Sequence, residues 1–280
     1  MMRVAAIQMR SGSTPEDSLP VLESLVREAA GKGAIYIQTP EMTGAMQRDR
    51  QVLQANLRRQ NDDLVVAMAS RLARELAVTV HIGSTAILRE DGKVANRAFV
   101  FGPDGALNAT YDKIHMFDVD LPNGESWRES ATYTGGLEAV MADAGRAKIG
   151  LAICYDLRFA ELFRIYAANG AHILSLPAAF TQQTGEAHWH VLLRARAIET
   201  GSFVIAAAQG GTHADGRQTY GHSLIVDPWG KILAEKAGNE PGVIFADLDL
   251  EQVAATRARI PNLKNRREII FRAAMPQAAE

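Results

Sequence analysis

The chain has 280 residues, of which 47% are hydrophobic and 22% charged, so it can bury a large core and has an ordinary globular composition. A formal net charge of -2 gives no general attraction to nucleic acid or an anionic membrane. The single cysteine excludes an internal disulfide and a cysteine-based zinc cluster, and no stretch approaches the roughly 20 uninterrupted apolar residues of a membrane span.

The apolar part of the N-terminal MMRVAAIQMR is too short for a signal peptide, so a cytoplasmic protein is expected, and residues 3–9 read as a strand. Thr14 is placed to cap a helix with Pro15 in its first turn and Asp17 three residues after the cap, stopping near Gly31 to Gly33. Residues 34–38 predict a second strand, with Thr39-Pro40-Glu41 at its end. Over residues 62–76, Leu64, Val65, Met68, Leu72 and Leu76 share one helix face. Residues 78–83 predict a strand, and Asp91-Gly92 and Pro103-Asp104-Gly105 mark two hairpin connections. Residues 148–153 form a short apolar strand that ends at Cys154. A helix over 159–169, a strand over 171–176 and a helix over 187–200 follow, closed by Gly170 and Gly201 where helices end. Strands are expected at 203–208, 222–226 and 243–248, with Gly210-Gly211 a turn. Apolar strands with little alternation suggest sheets covered on both faces, so the class is α/β with mixed sheets. No linker or repeat interrupts the chain, so one domain over 1–280 is expected, with a C-terminal tail over 260–280.

Cys154, in GLAICYDLRF, falls where a buried strand ends and charged residues begin. A lone cysteine is more often a small buried hydrophobe than a nucleophile. A strand-to-helix turn, however, presents its side chain at the rim of a sheet beside backbone N–H groups that can receive an oxyanion. Glu41 follows its strand in an equivalent place, where a glutamate is ordinarily solvated. Lys113, in YDKIHMFD, sits among Tyr111, Ile114, Met116 and Phe117, and a lysine there needs a carboxylate partner or loses its charge. His115 lies two residues on, which leaves a Cys–His mechanism open. His188, His190, His213 and His222 have no zinc spacing such as H-E-x-x-H, so no metal is expected. Asp156 and Arg158 are expected to form an ion pair or hydrogen bonds beside the Cys154 turn. Arg194, Arg196 and Glu199, on the long helix, are expected to face solvent or another subunit.

TPEM around Glu41, YDKIHMFD around Lys113 and GLAICYDLRFAEL around Cys154 stand in that order, and the chain resembles the nitrilase superfamily of carbon–nitrogen hydrolases over nearly its whole length. The later TGEAHWHVLLRARAIET and YGHSLIVDPWG resemble the branch of Nit-type amidases, which act on deaminated glutathione or on ω-amides of α-keto dicarboxylic acids. The resemblance implies a four-layer α-β-β-α sandwich and a Glu41–Lys113–Cys154 triad. It implies neither a metal nor an organic cofactor, and a homodimer or higher homo-oligomer. It also implies that Glu129, in RES, keeps Lys113 charged and oriented, and that the Tyr155 N–H helps Lys113 hold an oxyanion. Two positions depart from the family: His190 stands where relatives usually have glutamate, and Ala160 where they often have proline. The first bears on electrostatics close to the pocket.

For the substrate itself, residues 180–188 and 210–220 are rich in polar and small side chains and follow strand ends, where α/β ligand sites form. Phe180, Thr181, His188, His213, Arg217 and Tyr220 are the candidates, with His213 and Arg217 the natural partners of a substrate carboxylate. Simple solvated loops remain the alternative. The expected activity is thioester-mediated hydrolysis of a small anionic amide, with deaminated glutathione the first choice and α-ketoglutaramate or α-ketosuccinamate the second. An inert binding protein on the same fold would be marked by loss of a triad residue, and all three are present.

Overall fold

In the computed structural model, which describes residues 1–122 and 124–272, two six-stranded mixed sheets lie between helices. The first five strands, β1 (Met2–Gln8), β2 (Tyr36–Gln38), β3 (Thr79–Leu88), β4 (Val94–Phe101) and β5 (Leu107–Asp112), lie side by side in chain order. β1 to β3 run parallel. β3 to β5 are antiparallel and turn at the two sites that Asp91-Gly92 and Pro103-Asp104-Gly105 mark. A small hairpin, β6 (Asp118–Asp120) with β7 (Ser126–Arg128), stands outside both sheets.

The second sheet begins with β8 (Met141–Ala144), β9 (Ala147–Leu151), β10 (Ile173–Ser175) and β11 (Phe203–Ala206), of which the last three are parallel. A second hairpin, β12 (Gly210–Thr212) with β13 (Gln218–Tyr220), precedes β14 (Leu224–Val226) and β15 (Ile232–Glu235), which complete the sheet. The last strand, β16 (Gly242–Leu248), returns to the first sheet and pairs antiparallel with β1 along its whole length.

Side-chain alternation along β1 defines the layers. Ala5 and Ile7 pack with Leu22, Val26 and Ala29 of α1 (Pro15–Gly31). After the short α2 (Arg50–Asn56), helix α3 (Leu64–Leu76) adds Val65, Ala69 and Leu72 to the same cluster. Val4 and Ala6 point the other way, into the core shared with the second sheet. Beyond that sheet lie α4 (Ala160–Ala168) and α5 (Gln182–Thr200), which contribute Phe163, Trp189 and Leu193. The order is α-β-β-α, and both faces of both sheets are covered, which is why the strands read as apolar runs. The final helix, α6 (Glu251–Arg259), buries only Val253.

Local chemistry explains the boundaries. Thr14 accepts from Asp17 N while the Asp17 carboxylate accepts from Thr14 N, a reciprocal cap on α1. α5 begins at Gln182, not at 187, because Thr181 caps it by accepting from Thr184 N at 3.4 Å. Gly185 weakens helix propensity there, but the Tyr220 ring fills the space a Cβ would need, so packing overrides propensity. Gly210 and Gly211 begin β12; the turn itself lies between His213 and Arg217, whose backbones are hydrogen-bonded at 2.8 Å. Residues 261–272 form no regular element and are mostly exposed, and the remainder of the expected tail, 273–280, lies outside the described residues. Among the described residues no helix is long and apolar enough to cross a membrane.

Candidate active site

Three strand ends deliver the side chains singled out from the sequence. Glu41 follows β2 in a turn that crosses β3. There the Thr39 hydroxyl accepts from Gly83 N at 3.0 Å. A Cβ at Gly83 would strike the Thr39 carbonyl oxygen and Pro177, so the close approach requires glycine. Lys113 leaves β5 with its N–H bonded to the Asn96 carbonyl at 2.9 Å. Cys154 follows β9 and opens a 3-10 turn, Cys154–Arg158, with φ at 49°, in the left-handed region that a non-glycine residue occupies at a cost of about 1–3 kcal/mol. Its N–H donates to the Pro177 carbonyl at 2.9 Å.

Asp156 holds this turn. It is fully buried, and its carboxylate accepts from Ile153 N (2.9 Å), Tyr111 Oη (2.6 Å), His115 N (3.0 Å) and His115 Nδ1 (2.7 Å). One side chain thus ties the cysteine turn to the segment that carries Lys113. Of the two expectations for Asp156 and Arg158, hydrogen bonds at the turn form and an ion pair between them does not, since the Arg158 guanidinium lies 3.3 Å from His188 Nδ1.

Lys113 is 2% exposed, yet its ammonium is fully engaged. Nζ donates to Glu41 Oε1 at 2.9 Å and to both oxygens of Glu129 at 3.0 and 2.8 Å. Asn96 Nδ2 bridges the same two carboxylates at 2.9 and 3.1 Å. Glu41 Oε2 accepts from Ala179 N at 2.9 Å, and Glu129 Oε2 from Phe117 N at 2.7 Å. Burial by itself would push the Lys113 pKa down, but Glu129 and Glu41 reverse this and hold it well above the usual lysine value. Burial would likewise raise Glu41, but the Lys113 ammonium overcomes it and leaves the carboxyl below the ordinary glutamate value. Burial and then the Glu41 charge push the Cys154 thiol well up, so it rests protonated.

These groups open on a cavity of about 330 Å³. Glu41, Lys113, Glu129, Cys154, Tyr155, Phe180, Thr181 and Arg217 all line it. Three candidates do not. His188 is exposed and faces Arg158. His213 is buried between the Ser11 carbonyl at 3.3 Å and the Thr219 hydroxyl at 2.7 Å, and burial pushes its pKa down. Tyr220 packs on Gly185 and stacks on His222 with centroids 4.3 Å apart. His115 is also outside the lining; its ring is stacked on Phe159 at 3.4 Å and bonded to Asp156. Arg196 is buried, not solvated: it donates to the Leu157 carbonyl and pairs with Glu199 at 2.9 Å.

The cavity also uses residues that sequence reasoning missed. Arg48 and Arg217 lie over the Trp127 ring, at 3.9 and 4.7 Å from its centroid. Tyr133 completes this part of the lining, and burial pushes its phenol pKa up. Arg217 Nε is buried without a hydrogen-bond partner among the described residues, and its closest carboxylate, Asp215 Oδ2, is 3.5 Å from Nη2. Asn96 had a signal in the sequence: a polar side chain inside the apolar run VANRAFVF demands buried partners. Trp127, Arg48 and Tyr133 had none, because Trp127 sits on the small β7 hairpin strand and the other two on separate irregular segments.

The chain matches the carbon-nitrogen hydrolase family over residues 3–258. It is 38% identical over 271 residues to the deaminated glutathione amidase of Synechocystis sp., covering 94% of this chain and 97% of that protein. To the omega-amidase NIT2 of Danio rerio it is 34% identical over 275 residues, covering 96% of each. The crystal structure of the C. elegans NitFhit protein superposes with a TM-score of 0.86 at 33% identity; the match covers 95% of this chain and 65% of that one. The family's pattern runs through both sheets and all three strand ends that carry Glu41, Lys113 and Cys154, and relatives align along nearly the whole length: the chain belongs to the carbon-nitrogen hydrolase family.

Proposed function

We propose that the chain is a cysteine amidase that hydrolyses a small anionic amide, deaminated glutathione first among the candidates. The observation that carries this reading is the buried Lys113 ammonium, clasped by Glu41 and Glu129, beside a cysteine turn that opens on the same cavity. In the resting site the thiol is neutral and Glu41 is ionised. Attack is therefore coupled to proton transfer. Cys154 Sγ bonds to the carbonyl carbon as its proton passes to Glu41, and the carbonyl electron pair moves onto oxygen. Lys113, whose hold on Glu41 loosens as that carboxylate takes the proton, and the Tyr155 N–H hold that oxyanion. Its collapse breaks the C–N bond, and Glu41 gives its proton to the departing nitrogen. Water, deprotonated by Glu41, then adds to the thioester; the carboxylic acid leaves and the thiol regains its proton. Glu129 keeps Lys113 charged throughout.

Arg48, Arg158 and Arg217 line the cavity and favour an anionic substrate. An ω-amide of an α-keto dicarboxylic acid is the second reading, supported by the similarity to the Danio rerio omega-amidase. Exposed Ile165 on α4 and Val191 and Ile198 on α5 support a homo-oligomer that buries these helices. Purified enzyme incubated with deaminated glutathione should release 2-oxoglutarate and Cys-Gly, whereas α-ketoglutaramate would release 2-oxoglutarate and ammonia. The ratio of kcat/KM for the two amides chooses between the readings, and hydrolysis of neither would overturn both.

A further inference from the structure

Outside the cavity lining, three metal-binding side chains from three elements meet. His190 projects from α5, His222 lies between β13 and β14, and Glu235 ends β15. Glu235 Oε1 accepts from His222 Nδ1 at 2.7 Å and from His190 Nε2 at 3.1 Å, and the donor atoms all lie within 4.8 Å of one another. A tetrahedral zinc site with bonds of about 2.0–2.1 Å has ligand-to-ligand edges of about 3.4 Å. The two hydrogen-bonded separations, 2.7 and 3.1 Å, are shorter than that edge and the third lies within 4.8 Å, so an ion replacing the two hydrogen bonds requires the three side chains to spread around it.

Two features favour an ion over a plain hydrogen-bonded cluster. His222 is held in advance: its φ is 52°, its carbonyl accepts from Trp189 Nε1 at 2.8 Å, and its ring is stacked on Tyr220. Rigid ligands lower the cost of assembling a site. The second imidazole, moreover, makes the donor set nitrogen-rich, two nitrogens to one oxygen. Two imidazoles and one carboxylate select a borderline transition metal and reject magnesium and calcium.

We propose that His190, His222 and Glu235 bind one divalent transition-metal ion of the zinc class, with water in the fourth position, which the one-quarter to one-third exposure of the three side chains admits. The ion ties α5 to the β14–β15 edge. It serves stability rather than amide hydrolysis, since none of its ligands lines the cavity.

Zinc titrated calorimetrically into untagged enzyme should bind at one equivalent and raise the melting temperature. His190→Gln and Glu235→Gln should each weaken binding by more than about tenfold. Enzyme alkylated at Cys154 beforehand should bind zinc as well as untreated enzyme. No binding, equal binding by the variants, or loss of binding on alkylation would overturn the site. Metal-free melting shows whether each variant is folded. If neither is, the cobalt derivative of the unmodified sequence decides: visible d–d bands without thiolate-to-cobalt charge transfer support the site, and charge transfer puts the ion on Cys154 and refutes it.

Discussion

The two parts of the cavity lining are built on opposite terms. Around Lys113 every charge has its partners: three oxygens take the ammonium, and both carboxylates also accept from Asn96 and from backbone N–H groups. Around Trp127 the charges are held more loosely: Arg48 is exposed and, among the described residues, Arg217 has only Asp215, at 3.5 Å. Arg48 and Arg217 rest on an indole face, and a buried Arg217 nitrogen has no acceptor among the described residues. A satisfied cluster is rigid and set to act on a bond. An unsatisfied cation in a cavity is set to receive an anion, because a ligand carboxylate would supply the missing bonds. On the proposed reading, the difference separates the chemistry, fixed in the sandwich, from substrate choice, placed on hairpins and loops.

The sharpest way to break this division is to remove the nucleophile. Cys154→Ala should abolish turnover on every amide while the melting temperature stays close to that of the parent, because one sulfur contributes little packing. Activity and melting are measured side by side, and a variant that retained a tenth of the parent's turnover would refute the nucleophile assignment. Glu41→Gln and Lys113→Ala come next, each lowering kcat by about 100- to 10,000-fold. Their effects should not add in the double variant, because the groups act as a unit. Lys113→Ala should also destabilise the fold by about 3–5 kcal/mol, since it leaves Glu41 and Glu129 buried without their cation. Denaturant melts would show this, and a Lys113→Ala variant of unchanged stability would mean that the clasp is not closed in solution.

The same division marks what could be read from the chain. Glu41, Lys113 and Cys154 sit in compact motifs at the ends of apolar strands, and those strands made the covering of both sheet faces legible; the four-layer order and the grouping of the three residues came from the family resemblance. The start of α5 was not, because Gly185 and a run of polar residues read as a loop until Tyr220 is seen packed against them. Asp156 looked like an ordinary polar residue, and its bonds reach residues 41 and 45 positions away. His213 looked like an anion ligand, but it is occupied by Ser11 and Thr219, two partners that no local pattern connects to it. Arg48, Trp127 and Tyr133 line the cavity from segments that only the fold brings together, so spacing carries no trace of them.

Arg217→Ala tests the unsatisfied half. Loss of one charge-assisted contact costs about 1.5–3 kcal/mol, or roughly 10- to 150-fold, and should appear in KM for a dianionic amide with little change for a neutral one. Steady-state kinetics on deaminated glutathione and a short neutral amide would decide it. Equal effects on both amides would mean that Arg217 supports the wall and does not read a carboxylate.

The smallest effect expected is no effect at all, and it tests the satisfied half. On the proposed mechanism the active form needs Glu41 ionised, Lys113 charged and the Cys154 thiol intact. Glu41 titrates below the ordinary 4.5, Lys113 well above 10.5 and Cys154 well above 9.0. The plot of kcat/KM against pH should therefore be level between those limits, with an acid limb only below the first. Stability follows the same signs. The lowered Glu41 pKa stabilises the fold above the unfolded value, and that contribution is lost as pH falls through the folded one. The raised Lys113 pKa stabilises it below 10.5, and the contribution is lost as pH rises through the folded value. Glu41→Gln should accordingly remove the acid dependence that this pair contributes, in a comparison of melting curves with the parent. An acid limb centred near about 6.5, the ordinary value of a histidine, would instead return His115 as the base and require it to leave Asp156, because in its present place its ring is bonded to that carboxylate and stacked outside the cavity.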